Sequence, residues 1–236
     1  MIVSILVFVT ILVLSIPSAV IFIPLAVVTR NIEPLYTVTC FIVRAGFWVA
    51  RIHIRVEGRE QIPAGKACIF MANHVSNLDP PALISHLPGH TAAFTKRSVF
   101  NLPAFGYCLK LAQYIPVDRT GNPADAKKSV SEAVALLKKG LPITMFVEGT
   151  RSKDGRMLPF KKGPFYLAEE SGAPCVPISI YGTETLMAKG RFGIKPGTVH
   201  IVFHAPINSR DYATREDLMQ AVRAAIASGL PEWMRR

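Results

Sequence analysis

Asn73-His74-Val75-Ser76-Asn77-Leu78-Asp79-Pro80 is the stretch on which the reading of the chain turns. It follows an apolar run, Ala67-Cys68-Ile69-Phe70-Met71-Ala72, with the character of a buried strand, and leads into Pro80-Pro81, a pair suited to opening a helix. A histidine is thus delivered at a strand end, with a carboxylate five positions on. On one regular helix, at about 100° per residue, side chains five apart point away from each other. Asp79 precedes a proline and is pushed out of the helical region, so it belongs at a boundary and not in mid-helix. The stretch predicts a strand–turn–helix corner with His74 and Asp79 facing across it. Each residue also has a plain structural reading, His74 as a satisfied histidine at a strand end and Asp79 as the N-cap of a helix that begins at Pro80.

Around this corner, strand-like and helix-like patterns alternate. Ile52-His53-Ile54-Arg55-Val56, residues 67–72, Ala92–Thr95, Tyr114–Val117, Ile143–Val147, Cys175–Tyr181 and Thr198–His204 read as strands. The best helix runs from Asn122 as cap and Pro123 as first residue to Lys139, closed by Gly140, and a last amphipathic helix starts near Thr214 and ends before Gly229. Such alternation predicts an α/β domain with a mixed, largely parallel sheet flanked by helices. Sites on such sheets gather beyond strand ends, which is where the polar motifs fall. Pro177, in Ala173-Pro174-Cys175-Val176-Pro177-Ile178, suggests an edge strand.

The N-terminus is different in kind. Half of the 236 residues are hydrophobic, but residues 1–29 carry no charge at all. Residues 2–28 are long enough for a membrane span, since about 20 apolar residues cross a bilayer. Pro17 and Pro24 would kink that helix or break it into a re-entrant shape. The run is too long for a signal-peptide core and no Lys or Arg precedes it, so a retained anchor is expected. A second apolar segment, Leu35 to Ala50, carries Arg44 in its middle and Arg51 seven positions on. Burying Arg44 in lipid is costly, and an interfacial helix with both arginines at the headgroups is cheaper. The expected division is therefore a membrane-associated helical hairpin over residues 1–51 and an α/β domain over 52–236, with two full spans as the alternative. Arg51, Arg55, Arg59 and Lys66 after the anchor place the domain on the cytoplasmic face, at the inner membrane.

Lys and Arg outnumber Asp and Glu by 27 to 16, a net charge of +11 that favours anionic partners. With a hydrophobic N-terminus this points to a membrane surface and not to nucleic acid, for which no recognition module is present. The four cysteines are scattered, with no C-x-x-C pair, so neither a disulfide framework nor a metal site is expected.

Two further motifs follow strands. In Phe146-Val147-Glu148-Gly149-Thr150-Arg151-Ser152, Gly149 permits a tight turn, Thr150 and Ser152 offer hydroxyls, and Arg151 is a bidentate phosphate donor, with Lys153, Arg156, Lys161 and Lys162 soon after. Tyr114-Ile115-Pro116-Val117-Asp118-Arg119 ends another strand in a charged pair, which is equally an ordinary surface turn. Asn-His-x4-Asp-Pro, Val-Asp-Arg, Phe-x-Glu-Gly-Thr-Arg-Ser, Phe-Lys-Lys-Gly and Val-Pro-Ile, in that order over roughly residues 52–205, resemble the glycerolipid acyltransferase superfamily, most closely its bacterial lysophosphatidate acyltransferases. The resemblance implies acyl transfer from acyl-CoA or acyl carrier protein to the sn-2 hydroxyl of 1-acyl-sn-glycerol-3-phosphate, with no further cofactor. It implies His74 as general base, Asp79 as its orienting acid, and a glycerol-phosphate site from Arg151 and Arg119, shaped by Glu148, Gly149 and Thr150. Lys96, in Phe94-Thr95-Lys96-Arg97, is a further candidate phosphate contact. The alternatives are a sister enzyme acting on another lysolipid or glycerol 3-phosphate, a membrane-bound hydrolase with Ser76 as nucleophile, and a non-catalytic anionic-lipid-binding protein.

Overall fold

The computed structural model describes residues 2–118, 123–187, 190 and 193–235. In chain order its helices and strands are α1 (Ile2–Thr29), α2 (Glu33–Val49), β1 (Ile52–Glu57), β2 (Ile69–Ala72), α3 (Asp79–Ile84), β3 (Ala92–Lys96), α4 (Phe105–Leu111), β4 (Ile115–Val117), α5 (Pro123–Lys138), β5 (Ile143–Phe146), α6 (Gly163–Ser171), β6 (Cys175–Tyr181), α7 (Thr183–Leu186), β7 (Gly197–Phe203) and α8 (Arg215–Gly229). The seven strands form one sheet in the order β1-β7-β6-β2-β5-β3-β4. Every neighbouring pair is parallel except β6–β7, so the sheet is mixed and largely parallel, as predicted. Central β2 is buried at every position, the continuous apolar run expected of a strand covered on both faces.

Alternation along β2 divides the core. Ile69 and Met71 join Phe165, Leu167, Leu218 and Val222 on the face covered by α5, α6 and α8. Cys68, Phe70 and Ala72 turn to the other face, where α3 and the N-terminal helices lie. There Val7, Phe47 and Ala50 share one core cluster with Phe70, Leu83 and Ile178, so the hairpin and the sheet bury apolar surface against each other.

Two expectations change in three dimensions. Pro177 does not mark an edge, because β6 is third of seven strands. The β6–β7 ladder begins only at Ile178↔Phe203, and Pro177 falls between it and an isolated Cys175↔Ile207 bridge, where its carbonyl accepts from His204 N–H. Pro17 and Pro24 do not break α1, which runs unbroken for 28 residues. Each removes one N–H from the ladder, and the apolar run on both sides carries the helix through. Arg44, exposed on α2, donates through Nε to the Ser85 carbonyl at 2.9 Å, clamping α2 onto the end of α3.

Among the described residues α1 alone is long and apolar enough to cross a bilayer, with mean hydropathy 2.8 over its most apolar window. Yet its two ends are both tied to the domain. Ser4 Oγ accepts from Ile194 N–H at 3.0 Å, and Ala26, Val27 and Arg30 border a groove shared with Tyr107 and Leu111 of α4. The helix thus lies along the domain, with most of its apolar surface exposed.

Candidate active site

β2 ends at Ala72, and the next residue holds the strand's exit. Asn73 is fully buried; its Nδ2 donates to the Ile180 carbonyl and its Oδ1 accepts from Ile180 N–H, both at 2.8 Å. A side-chain amide thus completes the β2–β6 pairing while the main chain turns away. His74 follows, its ring stacked on Phe146 with centroids 4.1 Å apart and planes 21° apart.

Asp79 faces it across the corner. Its Oδ2 accepts from His74 Nδ1 at 2.8 Å and from the N–H groups of Val75 and Ser76 at 2.7 Å each, while Oδ1 accepts from the Thr183 hydroxyl. Asp79 is 0% exposed and the His74 side chain 13%. The capping reading of Asp79 therefore fails: the helix starts at Asp79 itself, and the carboxylate serves the turn before the helix. This arrangement assigns the imidazole tautomer. The oxygen at Nδ1 already accepts two backbone N–H groups, so Nδ1 is the protonated nitrogen and Nε2 carries the lone pair.

The second loop is built onto the first. Ser152 N–H donates to the His74 carbonyl at 2.9 Å, and Arg151 Nη1 donates to Asn77 Oδ1 at 2.6 Å. Gly149 has φ 67°, the left-handed region, and a Cβ there would come within 3.2 Å of Lys161 Cγ. Thr150 is half-buried beside it.

Glu148 shapes this loop. Its carboxylate is fully buried, with Oε1 accepting from His74 N–H and Oε2 from Leu158 N–H, both at 3.1 Å. It pins the two loops together from within. Burial pushes its carboxyl up from 4.5 to about 7, against the lowering effect of those two hydrogen bonds. In the unfolded chain the same group ionises near its ordinary value, so between about 4.5 and 7 the folded protein holds a proton that the unfolded one has released. Stability contributed at this site is therefore present at low pH and lost as pH rises through about 7. The expected result is a wild-type unfolding midpoint that falls from pH 5 to pH 8, and a Glu148→Gln midpoint that stays flatter over the same window. Parallel profiles would remove Glu148 as the source.

Other candidates spread along the same sheet edge. Lys96 ends β3, exposed, two strands from β2 and so about 10 Å away laterally. Asp118, beyond β4, is paired with Arg97 at 2.5 Å in an exposed ion pair. Arg119 lies outside the described residues, as does the predicted cap Asn122. Lys162 and Arg156 of the basic run pair with Glu216 and Asp154 at the surface. Ser76 is buried; its hydroxyl donates to the Met187 carbonyl at 2.7 Å and accepts from Leu78 N–H. Among the described residues no group of three or more His, Cys, Asp or Glu is placed to hold a metal ion. Asn73 and Phe146 lie inside the quoted motifs, yet neither type announces its role there. Thr183 gave no signal, since it meets Asp79 from 104 positions away.

Comparison with known proteins places this geometry. The model of the family described as Acyltransferase matches residues 53–181, more than half of the chain. A 1-acyl-sn-glycerol-3-phosphate acyltransferase of Limnanthes douglasii is 36% identical over 187 residues, covering 78% of this chain and 66% of the relative. The human 1-acyl-sn-glycerol-3-phosphate acyltransferase alpha is 34% identical over 162 residues, 68% of this chain and 56% of the relative. The chain thus spans less than two thirds of the length of these relatives. The crystal structure of the 1-acyl-sn-glycerophosphate (LPA) acyltransferase PlsC of Thermotoga maritima superposes with a TM-score of 0.82 at 26% identity, covering 99% of this chain and 97% of that one. The matched segment runs from β1 to the end of β6 and contains the His74–Asp79 corner and the Arg151 loop; the chain belongs to the acyltransferase family.

Proposed function

We propose that the protein transfers an acyl group from an acyl thioester to the sn-2 hydroxyl of 1-acyl-sn-glycerol-3-phosphate, forming phosphatidate. The observation that carries this reading is His74 held by a buried carboxylate with its Nε2 lone pair available, beside a loop that presents Arg151. Nε2 takes the proton of the sn-2 hydroxyl as its oxygen attacks the thioester carbonyl. The imidazolium so formed is stabilised by Asp79 and returns the proton to the departing thiolate as the tetrahedral intermediate collapses. The acceptor alcohol is the nucleophile, so no enzyme serine is required. Either acyl-CoA or acyl carrier protein meets this requirement, and no cofactor enters the reaction.

Arg151 is the first phosphate ligand in this reading, and its bond to Asn77 fixes where the guanidinium sits. Arg151→Ala is expected to raise the acceptor KM and lower kcat/KM by about 2 kcal/mol, roughly 30-fold, for one lost charge-assisted contact. An unchanged acceptor KM would remove it from the site. Lys96, at the end of β3, extends the same cationic edge, and Arg119 is a further proposed phosphate ligand. The protein sits on the cytoplasmic face of the inner membrane, with the exposed face of α1 in the leaflet.

The hydrolase reading is separated by Ser76. Its hydroxyl is engaged with Met187 and Leu78, so Ser76→Ala should keep kcat within a few-fold of wild type; abolished turnover would restore a covalent route. The acceptor is tested with membranes supplied with labelled acyl-CoA or acylated carrier protein and, in turn, 1-acyl-glycerol-3-phosphate, other lysolipids and glycerol 3-phosphate. Phosphatidate as the main product is expected. Transfer only to another acceptor would keep the mechanism and replace the substrate.

A further inference from the structure

The segment between β3 and β4 carries apolar surface that the catalytic reading does not use. Residues 98–109, Ser-Val-Phe-Asn-Leu-Pro-Ala-Phe-Gly-Tyr-Cys-Leu, contain no charged side chain and lie between Lys96-Arg97 and Lys110. Three of their large side chains stand outside the core: Leu102 is 52%, Phe105 55% and Tyr107 46% exposed. Their placement is nonetheless firm. Gly106 packs so closely on the Phe100 carbonyl that a Cβ there would come within 2.1 Å of its oxygen, which locks α4 to the turn before it. Ala104, between Leu102 and Phe105, has φ 56°, an unfavourable backbone state for a residue with a Cβ. The chain thus holds a strained, uncharged knuckle outward.

What covers it is indicated by its neighbour. Tyr107 and Leu111 share a groove of about 290 Å³ with Ala26, Val27, Arg30 and Ile32, at the C-terminal end of α1. The exposed apolar face of α1 therefore continues onto α4. Exposed cations, Arg30, Lys96 and Lys110, border this surface, as suits anionic headgroups around an inserted apolar element. We infer that Leu102, Phe105 and Tyr107 form a second membrane-inserting element, which enters an anionic leaflet beside α1 and orients the His74 edge of the sheet toward the bilayer. The inference rests on the membrane-seated reading of α1. It gives the lysolipid a short route, because the same segment begins at Lys96, on the sheet edge that carries His74.

The test uses single-tryptophan forms of the full chain, with Trp48→Phe and Trp233→Phe, carrying either Phe105→Trp or, on α1, Phe8→Trp. Each is bound to vesicles of phosphatidylcholine and phosphatidylglycerol with brominated acyl chains. The expected result is that emission at position 105 is more than halved relative to unbrominated vesicles and is shielded from aqueous iodide. Quenching at position 8 with none at 105 would overturn the inference and leave the membrane seat of α1 standing. Quenching at neither would overturn both. A second variant, Leu102→Ser with Phe105→Ser and Tyr107→Ser, alters only exposed side chains. It is expected to lose several-fold in kcat/KM toward lysophosphatidate embedded in vesicles while keeping wild-type kcat/KM toward a short-chain, monomeric acceptor. Equal activity on both would also overturn the inference.

Discussion

His74→Ala is expected to lower kcat by about 10²- to 10⁴-fold, the loss that follows removal of a positioned general base. On the free-energy scale this is roughly 3 to 5 kcal/mol of transition-state stabilisation. The fold should survive the change. Asp79 loses one donor but keeps the N–H groups of Val75 and Ser76 and the Thr183 hydroxyl, so its buried charge stays solvated by the protein. Stability should therefore fall by about 2 kcal/mol, the worth of one hydrogen bond to a charged group. The check is a comparison of wild-type and variant membranes for phosphatidate formation, with thermal unfolding of the purified proteins alongside. A folded His74→Ala protein with kcat near wild type would exclude His74 as the base. A folded protein without transfer, still able to bind lysolipid, is the expected outcome.

The second large effect is at Asp79, and here geometry separates two substitutions. In Asp79→Asn the amide oxygen can keep the three donors now on Oδ2, while the NH2 group turns to Thr183, whose hydroxyl can accept. The reverse orientation would set the NH2 group against two backbone N–H groups and is excluded by repulsion. The tautomer of His74 is thus preserved and only the charge is lost. We expect kcat to fall by about 10²- to 10³-fold, from weaker stabilisation of the imidazolium, with little change in acceptor KM. Asp79→Ala is a different experiment. It strands several buried donors at once and is expected to cost about 3–5 kcal/mol in stability, the range for removing one partner of a buried charged pair. If Asp79→Asn retains activity within a few-fold of wild type, the carboxylate acts through structure alone. If it unfolds as readily as Asp79→Ala, the amide has not kept the donors, and the charge is needed for folding.

Several features were legible because they obey local rules. The apolar run before His74 could be read as a strand from composition alone. The proline after Asp79 forbade a continuous helix and forced the corner that brings the two side chains within 2.8 Å. Thr214 before an amphipathic run marked a helix start, and its hydroxyl accepts from Asp217 N–H as an N-cap should. The uncharged run over residues 2–29 could be read from composition as a helix long and apolar enough to cross a membrane.

What the sequence by itself determined is therefore the alternation of strands and helices, the corner, and the order of the motifs along the chain. These follow from steric exclusion and from periodicity over a few residues. Only the tertiary structure decided who meets whom across the sheet. Thr183 completes the coordination of Asp79, Asn73 seals β2 onto Ile180, and Glu148 turns inward to tie two loops, all through contacts between distant segments. Pro177 lies in the interior of the sheet because β7 departs from its partner there, and Arg44 holds α2 to α3 because a carbonyl at the end of α3 waits beside it. Such pairings depend on strand order and on which polar groups burial leaves without water. That is a property of the packed whole, and no window of sequence carries it.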